Sequence, residues 1–169
     1  MKTNALMIVA AATAGLGLAH PGTHAASDPW DRLIGEWRGE GRFLGGAARG
    51  EIRWEPVLEG RFVRLTVRVT VARDGADRVF EGHGYYARLV EPRTTGTWFD
   101  VEGHVYPIAA ELSEGEVRAD WGPAGSVTGR SVYRVDGETL VVTDSARGAD
   151  GTFREFGAIT YRRTMRGGS

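Results

Sequence analysis

The chain has 169 residues, which is the length of one ordinary domain. It carries 21 basic and 22 acidic residues, a formal net charge of −1, and this balance argues against a basic surface for nucleic acid. Hydrophobic residues make up 41% of the chain, enough for one packed core. The 25 glycines and only 6 prolines favour strands joined by tight turns.

The first 26 residues differ in composition from the rest. Lys2 supplies a positive start, residues 5–19 form an apolar run, and the small residues Thr23 and Ala25 precede a cleavage point directly after Ala25 or one residue later. The run is too short and too rich in alanine for a retained membrane anchor. We interpret residues 1–26 as a secretory signal peptide.

The remainder shows no linker and no low-complexity stretch. We therefore expect a single domain over residues 27–164 and a flexible tail over 165–169. The chain contains no cysteine, so it has neither a lipid-attachment cysteine nor a disulfide. These features predict a bacterial periplasmic or secreted protein with no membrane span in the mature chain.

Residues 28–34 begin with Asp28 as a helix-capping residue and Pro29 at the first helical position, which predicts one short helix. Beyond it the pattern has a period of two. From residue 63 to residue 71, valine and leucine occupy the odd positions, and Arg64, Thr66 and other polar residues lie between them. Similar segments predict about ten strands, near 36–44, 49–58, 61–73, 78–89, 94–100, 104–112, 115–121, 126–135, 138–147 and 152–164.

Short turn signals such as Asp74-Gly75, Glu102-Gly103 and Asp136-Gly137 separate these segments and predict hairpins between neighbouring antiparallel strands. An open sheet of ten strands would expose two edges, whereas an up-and-down barrel has none. We predict an all-β, roughly ten-stranded antiparallel barrel, with a β-sandwich as the alternative.

Gly35-Glu36-Trp37, directly after the predicted helix, resembles the Gly-x-Trp motif that opens the first strand of calycin barrels, which include lipocalins, fatty-acid-binding proteins and nitrobindin-like haem barrels. The resemblance is nearest to nitrobindin and to a neighbouring uncharacterised family of small exported bacterial barrel domains. The other segments that carry it are Gly84-Tyr85-Tyr86, Thr97-Trp98-Phe99-Asp100 and Thr160-Tyr161-Arg162-Arg163.

That resemblance implies a structural latch in which an arginine of the last strand, Arg162 or Arg163, packs over Trp37. It also implies haem, held by a histidine on the last strand near Phe156. The chain has no histidine beyond His104. We therefore predict no firm cofactor, and haem only as an alternative in which His83 or His104 is a relocated ligand.

His83, Asp100 and His104 lie on strands that are sequential neighbours, so they could meet at one end of the barrel. A histidine oriented by a carboxylate is a common general base, which makes these three the candidate catalytic residues. They could supply at most three ligands, and their spacing is not diagnostic of a metal site, so we predict none. The competing interpretation makes them ordinary barrel and rim residues.

The lumen of a barrel is the natural place for a small ligand. The candidate lining residues are Trp54, Tyr86, Trp98, Tyr106 and Arg162, and an inward arginine would pair with an anionic head group. We predict an exported protein that binds a small hydrophobic or amphipathic molecule. The alternatives are a small periplasmic isomerase or lyase, the haem barrel, and a barrel filled by its own side chains.

Overall fold

A computed structural model of the chain describes residues 28–73, 75–88 and 92–164, which form a closed antiparallel barrel. Each strand pairs with the next in sequence, and the last strand pairs with the first. This confirms the predicted barrel and rules out the sandwich. The predicted signal peptide and tail lie outside the described residues. The strands are β1 (Gly35–Phe43), β2 (Gly46–Val57), β3 (Phe62–Arg73), β4 (Ala76–Ala87), β5 (Arg93–Asp100), β6 (Val105–Ser113), β7 (Glu116–Trp121), β8 (Gly129–Asp136), β9 (Thr139–Arg147) and β10 (Phe153–Arg163).

The period-two pattern determines which side chains enter the barrel. On β3, Val63, Leu65, Val69 and Val71 are buried, as the alternation predicts. On the outer face, charged residues pair across neighbouring strands, for example Arg68 with Glu81 at 2.8 Å. The barrel thus has an apolar interior and an outer wall of ion pairs.

The predicted short helix is wrong, because residues 28–34 form turns and the described residues contain no helix. The backbone N–H of Asp31 donates to the carbonyl of Asp28 at 3.0 Å, and that of Leu33 to the carbonyl of Trp30 at 2.9 Å. A helix this short has too few hydrogen bonds to offset its nucleation cost. The segment is held instead by Trp30 and Leu33, which are buried in one end of the barrel. No stretch of the described chain is a helix long and apolar enough to cross a membrane.

Residues 28–34, which we call the plug, are fixed to the barrel by two arginines. Arg88 of the loop after β4 contacts Asp28 at 2.6 Å and Asp31 at 2.9 Å. The guanidinium of Arg163 on β10 donates to the carbonyl oxygens of Ile34 at 2.6 Å and Arg32 at 2.7 Å. The plug therefore closes the end of the barrel at which β1 begins.

One irregularity interrupts the pairing of β10 with β9. The register shifts between Glu155 and Gly157, which leaves Phe156 without an opposite residue. The strand then alternates normally, with Gly157, Ile159 and Tyr161 buried. Because of the bulge, the consecutive residues Phe156 and Gly157 both face the interior of the barrel.

Candidate functional site

A cavity of about 240 Å³ occupies the half of the barrel opposite the plug. It reaches the surface between the β1–β2 turn at Leu44 and the β5–β6 turn at Glu102, which we call the mouth. Most of its wall is apolar. The aromatic members of this wall are Phe43, Phe80, Trp98, Tyr106, Trp121, Tyr133, Phe156 and Tyr161, and the aliphatic ones include Ile52, Val67, Val69, Ile108 and Val142.

Two tryptophan rings lie flat against the wall because glycines face them. A Cβ atom on Gly82 would collide with the indole of Trp98, and a Cβ atom on Gly129 with the indole of Trp121. Trp98 stacks on Phe80 with ring centroids 6.3 Å apart, and Trp121 stacks on Tyr106 at 6.0 Å. The glycines thus let large rings line the cavity without filling it.

A polar chain of hydrogen bonds runs along one side of the lumen. The indole N–H of Trp121 donates to Ser131 Oγ at 3.1 Å, and the Ser131 hydroxyl donates to Asp144 Oδ1 at 2.6 Å. Burial raises the pKa of Asp144 to about 6, although the hydrogen bond from Ser131 acts in the opposite direction. Asp144 is therefore a largely ionised carboxylate at neutral pH in a mainly apolar cavity.

Three tyrosines surround this carboxylate on the side nearer the plug. Burial raises the pKa of Tyr86, Tyr133 and Tyr161 well above the ordinary value, and the negative charge of Asp144 adds to the effect. Their hydroxyls are therefore neutral hydrogen-bonding groups at any physiological pH. None of them supplies a positive charge to balance Asp144.

A second polar group lies at the mouth. Asp100 Oδ2 accepts hydrogen bonds from the Trp98 indole at 3.2 Å and faces His104 Nδ1 at 3.2 Å. Asp100 Oδ1 accepts from the backbone N–H of Glu102 at 3.0 Å and of His104 at 3.1 Å. The Asp100 side chain is 6% exposed, whereas that of His104 is 44% exposed and stacks on Tyr106. A half-exposed histidine oriented by a buried carboxylate thus borders the entrance.

The structure brings together two of the three predicted catalytic residues. Asp100 and His104 both line the cavity, but His83 is on the outer face of β4. There its Nδ1 lies 3.3 Å from Thr66 Oγ1, and its Nε2 lies 3.8 Å from Glu81. Alternation along β4 explains the separation, because the neighbouring Gly82 and Gly84 face inward.

The predicted ligand-binding residues divide in the same way. Trp98 and Tyr106 line the cavity. Trp54 and Tyr86 are instead buried beside the plug, where both pack against Trp30. Arg162 points outward and donates to Thr139 Oγ1 at 2.6 Å, so the expected contact with a lumenal ligand is wrong for this residue.

The arginine over Trp37 is Arg163. Its guanidinium carbon lies 4.0 Å from the centre of the indole ring, and the Trp37 N–H donates to the carbonyl of Leu33 at 2.9 Å. Arg163 therefore joins the first strand, the last strand and the plug. Of the two arginines named from the sequence, the one that covers Trp37 is thus Arg163, whereas Arg162 points outward.

The residues present do not fit haem. Phe156, at the position where the resemblance implies the axial histidine, presents a phenyl ring to the cavity. The described lining residues include one histidine, His104, whose Nδ1 faces Asp100 at the mouth. Nowhere in residues 28–73, 75–88 and 92–164 do three or more metal-binding side chains form a group suited to an ion. The absence of a cofactor remains a prediction.

Sequence reasoning missed Asp144, Ser131 and Phe156. A signal for Asp144 was present, because it continues the alternation of Leu140 and Val142, and a carboxylate on an apolar face is unusual. Phe156 gave no such signal, since strict alternation places it on the outer face and only the bulge turns it inward.

Comparisons with known proteins relate the chain to others by fold. No family model matches it, and no curated protein matches it. Among solved structures, it is similar to the crystal structure of Rv2717c from M. tuberculosis, with 16% sequence identity and a TM-score of 0.59. The match covers 79% of this chain and 94% of that chain. At this identity the similarity supports the barrel fold and nothing finer.

Proposed function

We propose that this protein is an exported binding protein that holds a small, largely apolar molecule in the lumen of its barrel. The observation that carries the proposal is the cavity itself, about 240 Å³ in volume and lined mainly by aromatic and aliphatic side chains. Small barrels can be filled by their own side chains, so a barrel that keeps such a space suggests an occupant. A few polar groups in an apolar wall are typical of ligand sites.

The size and shape of the cavity limit the ligand. Drug-sized molecules occupy pockets of about 300–1,000 Å³, so this ligand is smaller than most of them. The plug, with Trp30 and Leu33 fully packed, blocks the other end of the barrel. Entry and exit therefore take place at the mouth, past His104 and Leu44.

Export belongs to the proposal because of the composition of residues 1–26, with a positive start, an apolar run and small residues before the cleavage point. A periplasmic or secreted location would expose the mouth to molecules outside the cytoplasm. The ligand would then be one that the cell meets or stores in that compartment.

The test of lumenal binding uses 2-phenylethanol as a small uncharged probe, and the readout is the change in tryptophan fluorescence to which the cavity-lining Trp98 and Trp121 contribute. Val142→Phe fills part of the cavity, and the matched control Val141→Phe makes the same change on the outer face of the same strand. We expect saturable binding to the wild type and to Val141→Phe, and at least a tenfold loss for Val142→Phe. Equal binding to both variants would place the probe elsewhere.

A second function, proton transfer in a small isomerase or lyase, is favoured by the pair of His104 and Asp100 at 3.2 Å. The test is solvent-deuterium exchange into small carbonyl compounds, followed by NMR. If this function is right, His104→Asn abolishes exchange and His83→Asn, on the outer face, retains it. The same loss in both variants, or exchange unaffected by either, would contradict it.

A further inference from the structure

The charged groups around the cavity are almost all acidic. Asp144 lies within the lumen, Asp100 and Glu102 lie at the mouth, and the partly exposed His104 faces Asp100. No arginine is among the described residues that line the cavity. The guanidinium of Arg163 does face inward, but at the plug, where Trp37 and two backbone carbonyls engage it.

Asp144 lacks a cationic partner within the described part of the chain. Its one hydrogen bond there comes from the neutral hydroxyl of Ser131, and the tyrosines near it are neutral as well. Ser131 is itself fixed by the indole N–H of Trp121, so its proton is directed at the carboxylate. A carboxylate in apolar surroundings is costly unless a positive charge or several hydrogen bonds compensate it.

We propose that the lumen selects a protonated amine on a small apolar body, with the ammonium group at Asp144 and the apolar body against the aromatic wall. This inference rests on the proposed lumenal binding and specifies the chemical class of the ligand. An ammonium group supplies the charge and the hydrogen-bond donors that Asp144 lacks.

The aromatic wall supports the same choice. Trp121 donates its N–H to Ser131 and stacks on Tyr106, so an electron-rich ring system borders the polar side of the lumen. The faces of such rings attract cations and repel anions. A fatty acid with its head group in the lumen would instead place a carboxylate beside Asp144, with no arginine lining the cavity to pair with it.

The experiment compares three probes of similar size and different charge, titrated into the full chain at pH 7.5 and followed by calorimetry. The probes are 2-phenylethylamine, 2-phenylethanol and 3-phenylpropanoate. Asp144→Asn removes the lumenal charge, and Asp77→Asn removes one negative charge from the outer wall, where Asp77 lies 3.8 Å from Arg49. The two variants therefore change the net charge equally.

We expect the amine to bind at least tenfold more tightly than the alcohol, and the carboxylate to bind most weakly. Asp144→Asn should reduce the affinity for the amine to that for the alcohol, and Asp77→Asn should leave the preference intact. The comparison of probes on the wild type stands even if a variant fails to fold.

A preference for the carboxylate, or equal affinity for amine and alcohol, would overturn the inference while leaving lumenal binding in place. An equal loss of amine affinity in both variants would also overturn it, since it would show a general effect of charge. If none of the three probes binds, both the inference and the proposed function fail.

Discussion

Arg163 is the residue on which the closure of the barrel depends most. Its side chain donates to the carbonyl oxygens of Arg32 and Ile34, covers the ring of Trp37 and contacts Glu138 at 3.2 Å. Each contact joins β10 to another part of the chain. No outward-facing arginine on β10 combines these roles. Arg163 and its neighbour Arg162 should therefore differ greatly in their contribution to the free energy of unfolding.

Replacing Arg163 by alanine should lower the free energy of unfolding by about 2–4 kcal/mol, because two backbone carbonyls lose their donor and a cation–π contact is lost. Arg162→Ala, the matched control on the outer face, should cost less than about 0.5 kcal/mol. Chemical denaturation measures both. Equal losses in the two variants would contradict the role of Arg163 as a latch.

Trp37→Ala should cost roughly 3–5 kcal/mol, as expected for a large aromatic side chain removed from a core. Trp37 is fully buried and bonds the plug through Leu33. Chemical denaturation measures this loss, provided that the dependence of the free energy of unfolding on denaturant concentration is the same in the variant and the wild type. A loss below about 1 kcal/mol would show that neither the packing nor the hydrogen bond matters to stability.

Asp144 should make stability depend on pH. Burial raises its pKa from 3.8 to about 6, so the folded protein binds this proton more tightly than the unfolded chain does. The contribution of Asp144 to the free energy of unfolding is therefore most favourable below pH 4. As the pH rises through 6, the free energy of unfolding falls by up to about 3 kcal/mol. Asp144→Asn should gain stability relative to the wild type over that range.

The check is the free energy of unfolding at pH 4, 5, 6 and 7 for the wild type and Asp144→Asn. Ser131→Ala serves as a second variant, because the Ser131 hydroxyl lowers the pKa of Asp144 and its loss should steepen the pH dependence. A constant difference between wild type and Asp144→Asn across the range would show that burial does not perturb this carboxylate.

At the level of strands and turns, alternation in the sequence was enough to predict all ten strands and the closed barrel. Turns such as that at Gly75 and Gly137 were visible because glycine adopts their positive φ angles, 78° and 54°. The prediction of a short helix was wrong although its capping pattern was correct. The segment is too short to offset the cost of helix nucleation, and packing against the barrel holds it in turns instead.

The candidate site was less predictable because it depends on which face of each strand points inward and on departures from alternation. In the sequence, His83 and Asp100 are equally plausible catalytic residues. In the structure Asp100 lines the cavity, whereas Gly82 takes the inward position on β4 and leaves His83 on the outer face. No residue near Phe156 marks the position of the bulge in the sequence. Alternation alone therefore places the Phe156 side chain on the wrong face of β10.

Gly129→Ala should reduce the cavity, because the new methyl group occupies the space of the Trp121 indole and displaces the ring. We expect at least a tenfold loss of affinity for 2-phenylethanol, with cooperative unfolding retained. Trp121→Leu in the Gly129→Ala background restores room and should recover part of the affinity. No loss in the single variant would mean that the ring is not held by the close contact with Gly129.

For the whole molecule, the prediction that matters most is export. Mass spectrometry of protein recovered from the bacterial envelope should show a chain that begins at Ala26 or Ser27, since small residues at Thr23 and Ala25 suit signal peptidase. The plug begins directly after this point, at Asp28, where its carboxylate meets Arg88. Envelope protein with an intact amino terminus would refute the prediction.

The pairing of β1 with β10 also determines the order in which the protein can fold. The first strand to be synthesised has two neighbours, and one of them is the last. At about 5–20 residues per second, β1 waits several seconds or more for that partner. Until β10 arrives, the growing sheet has two open edges, which invite pairing with other chains. A nascent or translocating chain of this topology therefore needs protection until its final strand is free, and truncation before β10 would leave an aggregation-prone sheet.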